Sequence, residues 1–436
     1  MNLHSQPVES LKGEIICPGD KSISQRILII GSLLNSDIQV KGFLNANDPN
    51  STLNALNEIG ASIEKVEDRV YLKKRSIPFI TPKKELDLGN SGTGLRLMLG
   101  LISGLGINAN MTGDSSLSKR PMNRIITPLK EMGASILSNN GRLPIRIRTS
   151  KIVENYDYQM PIASAQVKSC LILAALASRT NINLIEPKVT RDHTERIIEY
   201  FDGKINYGQD SKEIKFSFKE LKPKSSYNIV GDISSASFVI IATIISQNSE
   251  VLIKNVGLND TRSGLLKVLS LMGAHIEVLN KRVECNENVG DIYVKSSSLK
   301  GINIPKEMIP NIIDEIPILS IAASFALGTT SITNASELRV KESDRLNAIS
   351  EGLTKIGAEH KMFEDAISIN GSLDRIRSSV KINSYDDHRI AMSFLVAGMR
   401  SNNGIKVENC KNIETSFPNF KEIMNSLGAN IVDEKN

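Results

Sequence analysis

Cationic side chains recur in this sequence at one kind of place. Lys21 and Arg26 open the run KSISQRILIIGSLL, Arg96 lies just inside GNSGTGLRLMLGLI, Lys119, Arg120 and Arg124 crowd into SLSKRPMNR, and Arg389 sits in DDHR. Each stands at or beside the start of a segment that reads as a helix. A helix N-terminus offers unpaired N–H groups and a partial positive charge, so several such ends facing one cleft attract anions. One end contributes only about 0.3–1 kcal/mol when exposed and ~2 kcal/mol when partly buried, too little to hold a phosphate dianion in water. Lys and Arg must supply the rest. The planar guanidinium suits this work because it holds phosphate or carboxylate through two parallel hydrogen bonds. Singly, each of these residues reads as a solvated helix-end charge; their clustering is what points to the gathering of small anions.

Other chemistries find little support. The stretch Gly89-Asn90-Ser91-Gly92-Thr93-Gly94 lacks both the GxGxxG spacing and the GKS or GKT ending of nucleotide loops. The histidines, His4, His193, His275, His360 and His388, never take HxH or HxxxH spacing, so no metal is expected. Cys17, Cys170, Cys285 and Cys410 form no CxxC pair, which argues against a zinc knuckle or disulfide framework and fits a reducing cytoplasm. Trp is absent and aromatics make up 4%, so the net charge of +5 is not read as nucleic-acid binding. No export signal opens the chain, and no run reaches the ~18 apolar residues of a membrane span.

The elements that would position these charges repeat. A chain of 436 residues with 40% hydrophobic content is expected to form two domains. An amphipathic helical pattern ending in Gly recurs at Gly60, Gly133, Gly203, Gly273, Gly357 and Gly428, each read as a helix C-cap before a strand. Before each comes a helix apolar on nearly every side, hence buried, starting from Lys21, Gly89, Ser164, Asp232, Ile313 and Asp386. Runs such as IRIRT, VLIKNV, TSITNA and IKVENC supply strands. The class is α/β, in two similar lobes of three repeats. One lobe is expected over 20–231 and the other over 1–19 plus 232–436, with hinges near 20 and 231. LRVKESDRL reads as a surface helix with Lys341 and Arg345 four apart on one face.

In this order, PGDKSISQR, LGNSGTGLR, KRPM, SAQVKS, LRVKESDRL and DDHR resemble the 5-enolpyruvylshikimate-3-phosphate synthase family over nearly the whole chain. The resemblance implies a fold of two lobes, each of three βαβαββ units, the inside-out α/β barrel of enolpyruvyl transferases. It implies transfer of the enolpyruvyl group of phosphoenolpyruvate to the 5-hydroxyl of shikimate 3-phosphate, with release of phosphate and no cofactor. By the resemblance Lys21, Ser22 and Arg26 contact shikimate 3-phosphate, and Lys21 also reaches phosphoenolpyruvate. Ser164, Ala165, Gln166 and Arg191 grip the sugar phosphate. Gly92, Arg120, Arg345 and Arg389 form the phosphoenolpyruvate pocket. Asp314 and Lys341 lie around the reacting hydroxyl, with Glu342 nearby. Asp314 is then assigned as base toward the hydroxyl, and Glu342 with Lys21 as the proton relay to C3, because a carboxylate beside several cations cycles either way. His193 and His388 are weighed as proton shuttles against structural roles.

The implied partners are the two small substrates, with no nucleic acid, membrane or metal, in a cytoplasmic monomer. Thr415 stands before Ser416-Phe417-Pro418 where the family often has Lys, so one cation is missing. Gly92 and Gly94 leave the response to the herbicide glyphosate open. The related alternative is UDP-N-acetylglucosamine enolpyruvyl transfer, for which Asp114 is the only acidic candidate in the Gly113–Arg124 stretch; a non-catalytic anion-binding module is the other. Closure at the hinges is expected to bring Lys21, Arg120 and Gln166 toward Asp314, Lys341 and Arg389.

Overall fold

The computed structural model describes residues 1–374, 376 and 380–434. Two compact units emerge: Gly19–Val230 with Val283–Glu287, and Met1–Pro18 with Gly231–Arg282 and Asn288–Asn436. The short segment Val283–Glu287, at the turn between strands His275–Glu284 and Glu287–Lys295, belongs to the first of these units, which no local pattern in the sequence announces.

Within the Gly19–Val230 unit the second and third repeats are continuous βαβαββ motifs. Strand Leu86–Asp87, helix Gly92–Leu105, strand Ala109–Thr112, helix Asn123–Glu131 and the strands Ser135–Asn139 and Arg142–Arg148 form one; the run from Asn155–Gln159 to Glu213–Ser217 forms the next. In each, the leading strand pairs parallel and the rest pair antiparallel. The first repeat, built on helix Lys21–Leu34, takes its leading strand from Ser226–Asn228, parallel to Ile38–Lys41.

The other unit is assembled by the same rule. Strand Lys12–Ile16 lies parallel to Glu250–Gly257 and so leads the repeat of helix Ile233–Ile245. Leu3–Ser5 closes the last repeat, antiparallel to both Ile405–Glu408 and Ile431–Asp433. The middle repeat, around helix Ile316–Ser324, has a three-stranded sheet extended by a parallel bridge from Asn303 to Ser331. Among the described residues no helix is long and apolar enough to cross a membrane.

Why the central helices bury is plain from their residues. Every residue of Ile233–Ile245 is buried, and two of its hydroxyls fold back onto its own carbonyls: Ser237 Oγ donates to Ser234 O at 2.6 Å and Thr243 Oγ1 to Val239 O at 2.8 Å. Hydroxyls satisfied this way can enter an apolar core. The glycine punctuation holds at Gly60, Gly133, Gly273, Gly357 and Gly428, all with positive φ, but in the third repeat Asp202 takes the left-handed conformation and Gly203 follows it. Asp tolerates that region better than most side chains.

Helix Gly92–Leu105 meets helix Ala165–Ser178 through its own Gly100 and Gly104. A Cβ on Gly100 would lie 2.1 Å from the Cys170 carbonyl oxygen, and one on Gly104 2.3 Å from that of Ala174. The pairs advance together along both helices, so the two run parallel and deliver Arg96 and Gln166 to the same end. Gly100→Ala is therefore expected to cost about 1–3 kcal/mol and to lower the thermal midpoint by roughly 2–10 °C. Differential scanning calorimetry checks this, and an unchanged midpoint would mean that the helices are not held at this distance.

Candidate active site

In the Gly19–Val230 unit the cations gather at the mouths of buried helices. Asp20 caps the first by accepting from Ile23 N at 2.9 Å, Ser91 the second from Gly94 N at 3.0 Å, and Ser164 the third from Val167 N at 3.4 Å. Such caps engage one of the N–H groups left over at a helix start. Part of the anion affinity expected of these ends is thus already spent on the protein's own oxygens, and the side chains carry more of it.

Lys21 Nζ lies 3.0 Å from Asp48 Oδ2. Arg26 is buried and donates from Nε to Thr194 Oγ1 at 2.9 Å, from Nη2 to Ser169 Oγ at 3.1 Å and from Nη1 to the Ser22 carbonyl at 3.0 Å. Gln25 fastens the floor beneath them, donating to Ser91 Oγ at 2.6 Å, Thr52 Oγ1 at 3.0 Å and the Asp48 carbonyl at 3.2 Å. Arg96 donates to Gln166 Oε1, and Gln166 Nε2 to Thr93 Oγ1 at 3.0 Å. Arg120 Nη2 donates to Asn90 Oδ1 at 2.7 Å, and Asn90 in turn to Asp114 Oδ2 at 2.7 Å. Hydroxyl, amide and carbonyl partners orient a guanidinium without neutralising it. Lys21, Ser22, Ser164, Ala165, Gln166 and Arg191 all keep partial exposure.

The other unit gathers carboxylates. Arg345 is 1% exposed and donates from Nε to Asp387 Oδ2 at 2.8 Å, from Nη2 to Glu342 Oε2 at 2.6 Å and from Nη1 to Asp314 Oδ1 at 3.4 Å. Burial works against its charge, but Asp387, Glu342 and Asp314 outweigh that and hold the guanidinium above the ordinary arginine range. Lys341 Nζ approaches the same Asp314 oxygen at 3.4 Å. Arg389 Nη1 donates to the Asp314 carbonyl at 2.8 Å and lies 3.5 Å from Glu315 Oε1, which also accepts from Ser234 Oγ. Asp387 is buried and also accepts from Arg389 N at 2.9 Å, whereas Asp314 and Glu342 remain partly exposed. Asp314 and Glu342 are therefore open to solvent, while Asp387 anchors.

Several expectations change. Ser336–Val340 is a 3-10 turn, Lys341 is extended, and the helix begins only at Arg345, after Asp344 caps it through Asn347 N at 3.0 Å. Lys341 and Arg345 thus do not share a helical face, and Arg345 is no surface residue; both instead converge on Asp314. His193 is buried with Nδ1 2.7 Å from Glu287 Oε1, a structural pairing, and His388 is buried at its helix start. Asp114 spends its other oxygen on Leu117 N at 2.7 Å. Thr415 is buried and donates to the Asn412 carbonyl at 2.7 Å, closing its own turn. All four cysteines are free; burial pushes the Cys170 thiol upward and that of Cys410 to about 12, which removes them as nucleophiles. No group of His, Cys, Asp or Glu suited to a metal occurs among the described residues.

Sequence reasoning passed over Asp48, Asn90, Glu315 and Asp387. An Asp directly before a buried helix is an N-cap signal that would have found Asp387; the other three declare themselves only through distant partners.

Repeated βαβαββ units with cations and accessible carboxylates at the mouths of buried helices define a transferase acting on small anions. The sequence profile described as EPSP synthase (3-phosphoshikimate 1-carboxyvinyltransferase) matches residues 5–424. The 3-phosphoshikimate 1-carboxyvinyltransferase of Petrotoga mobilis is 46% identical, over 98% of this chain and 99% of its own, and that of Coxiella burnetii 42% identical, over 99% and 98%. A solved EPSP synthase from Acinetobacter baumannii superposes with a TM-score of 0.86 at 37% identity, covering 99% of this chain and 100% of that one. The chain belongs to the EPSP synthase family.

Asp387→Ala would remove a helix cap and the principal partner of a buried guanidinium, a loss of about 3–5 kcal/mol. Urea unfolding should show it as a lowered midpoint at unchanged slope; a variant as stable as the parent would contradict the anchoring role.

Proposed function

We propose that this chain transfers the enolpyruvyl group of phosphoenolpyruvate to the 5-hydroxyl of shikimate 3-phosphate, releasing phosphate. The observation that carries this reading is the full-length family match, joined to Asp314 and Glu342 held on one guanidinium beside Lys341. The substrates are both anions, and their repulsion must be offset by fixed positive charge before reaction. Lys21, Ser22, Arg26, Ser164, Ala165, Gln166 and Arg191 hold shikimate 3-phosphate. Gly92, Arg120, Arg345 and Arg389 receive phosphoenolpyruvate. The two substrates are the required partners, and the working form is a cytoplasmic monomer.

Asp314 takes the proton of the 5-hydroxyl as its oxygen attacks C2, and C3 receives a proton from Glu342 acting with Lys21. The tetrahedral adduct then expels phosphate from C2 as C3 returns its proton to Glu342, which restores the double bond, and the proton held on Asp314 leaves with the phosphate. Arg345 has a particular part. With its guanidinium already engaged by carboxylates, it receives the carboxylate of phosphoenolpyruvate only by exchange for Asp314 or Glu342. Binding thereby frees a base at the moment it is needed.

The test is phosphate release from phosphoenolpyruvate with either acceptor and no metal added. Release is expected with shikimate 3-phosphate and not with UDP-N-acetylglucosamine; release with the second alone would overturn the substrate, and silence with both would leave an anion-binding module. A second expectation concerns Gly92, where an added Cβ would lie 2.7 Å from Arg120 Nη1 and 3.1 Å from Arg96 Nη1. Gly92→Ala should displace both guanidinium groups and raise KM for phosphoenolpyruvate about tenfold or more in steady-state assays. An unchanged KM would take Gly92 out of that pocket.

A further inference from the structure

One turn inside the Ser164 mouth, helix Ala165–Ser178 carries a lysine to which the transfer reaction gives no task. Lys168 is 1% exposed, with Nζ 2.8 Å from Glu195 Oε1 and 3.3 Å from Glu186 Oε1, and it donates to the Thr190 carbonyl at 3.2 Å. Burial works against its charge, but Glu195 and Glu186 outweigh it and keep the lysine protonated; Glu195, wholly buried, is itself pushed up by that burial against the pull of Lys168. Glu186 then takes the rest of Thr190, accepting from its N–H at 2.9 Å and from its hydroxyl at 2.6 Å. The N–H, the hydroxyl and the carbonyl of Thr190 are thus all held by one buried pair.

The next residue is Arg191, and the far side of its loop is fastened to the same helix. Thr194 Oγ1 donates to Ser169 Oγ at 2.7 Å and accepts from Arg26 Nε at 2.9 Å, while Glu195 is held by Lys168 itself. Arg191, partly exposed, is therefore bracketed by two adjacent residues of one helix. Stability alone is a poor reason for such a cluster. Each buried ion costs several kcal/mol in desolvation, and well-packed apolar replacements are often as stable or more so. A rigid bracket makes sense where a side chain must meet a ligand at fixed distance and angle, because a displacement of about 1 Å can cost 100-fold in rate.

We propose that Lys168 and Glu186 are positioning residues that fix Arg191 and thereby set the affinity for the phosphate of shikimate 3-phosphate. The proposal rests on the assignment of Arg191 to that substrate. Lys168→Met combined with Glu195→Gln removes a cation and an anion together and leaves the buried charge balance unchanged. In this variant KM for shikimate 3-phosphate should rise about tenfold, with kcat and KM for phosphoenolpyruvate within about twofold of the parent. Glu186→Ala should behave alike, and Glu186→Gln, which keeps an acceptor for Thr190 N, should restore most of the affinity. Thr190→Val, which loses only the hydroxyl contact, should show the same selective rise at smaller size and carries the test if the double variant does not fold.

The decisive arm is a cycle with Arg191→Ala. Alone it should raise KM for shikimate 3-phosphate at least tenfold, and in its background the Lys168→Met/Glu195→Gln change should add nothing. Full additivity, or a lowered thermal midpoint with KM unchanged, would overturn the positioning role while leaving Arg191 assigned. An Arg191→Ala enzyme with unaltered KM would overturn that assignment and the proposal together, and absence of phosphate release from the parent protein would place the fault in the reaction itself.

Discussion

A guanidinium kept away from water must have its N–H groups met, and at Arg345 three carboxylates meet them, so that much of the carboxylate-bearing unit is arranged around one buried charge. Asp387 meets it from below and is itself fixed by capping the helix that carries Arg389. Asp344 starts the helix at the residue that places Arg345 inward. Asp314 and Glu342 complete the set and are its partly exposed members, which is what supports the proposed catalytic roles for them. On the proposed mechanism, the structural demand for charge compensation and the demand for two differently placed carboxylates are met by the same atoms.

The two units divide the physical work. Lys21 is paired with Asp48, while Arg26, Arg96 and Arg120 are aimed by hydroxyls, amides and a carbonyl among their partners. Around Arg345 the contacts cancel charge and store proton acceptors. Binding of anions suits the first arrangement, and the second adds the proton acceptors proposed at Asp314 and Glu342 to the anion contacts proposed at Arg345 and Arg389. Close helix packing at Gly100 and Gly104 and the hydrogen bonds of Gln25 show how much of the first unit's interior is given to holding these cations at defined positions.

The repeats were legible because both of their signals are local. A helix apolar all round must be buried, and a residue in the left-handed conformation must follow an amphipathic helix that turns back into a strand. Even there, Asp202 rather than Gly203 takes the strained place in the third repeat. The exchange of leading strands, with Lys12–Ile16 and Ser226–Asn228 each serving a repeat other than the one that follows in sequence, is long-range pairing that periodicity does not encode. Lys341 and Arg345 were misplaced because a helical period was run through Asp344, whose type is that of a helix start. The cations at the mouths could be named from sequence; Asp48, Asn90, Glu315 and Lys168 could not, since each is defined by partners brought up only by the fold.

The division between binding and proton transfer is tested most directly by measuring both in two variants, one from each unit: Glu342→Gln and Arg120→Ala. Substrate binding would be followed by calorimetric titration and chemistry by phosphate release in a single turnover. The account predicts that Glu342→Gln binds both substrates within about threefold of the parent yet releases phosphate at least about 100-fold more slowly, whereas Arg120→Ala loses affinity for phosphoenolpyruvate first. A Glu342→Gln enzyme that turns over at the parent rate would contradict it.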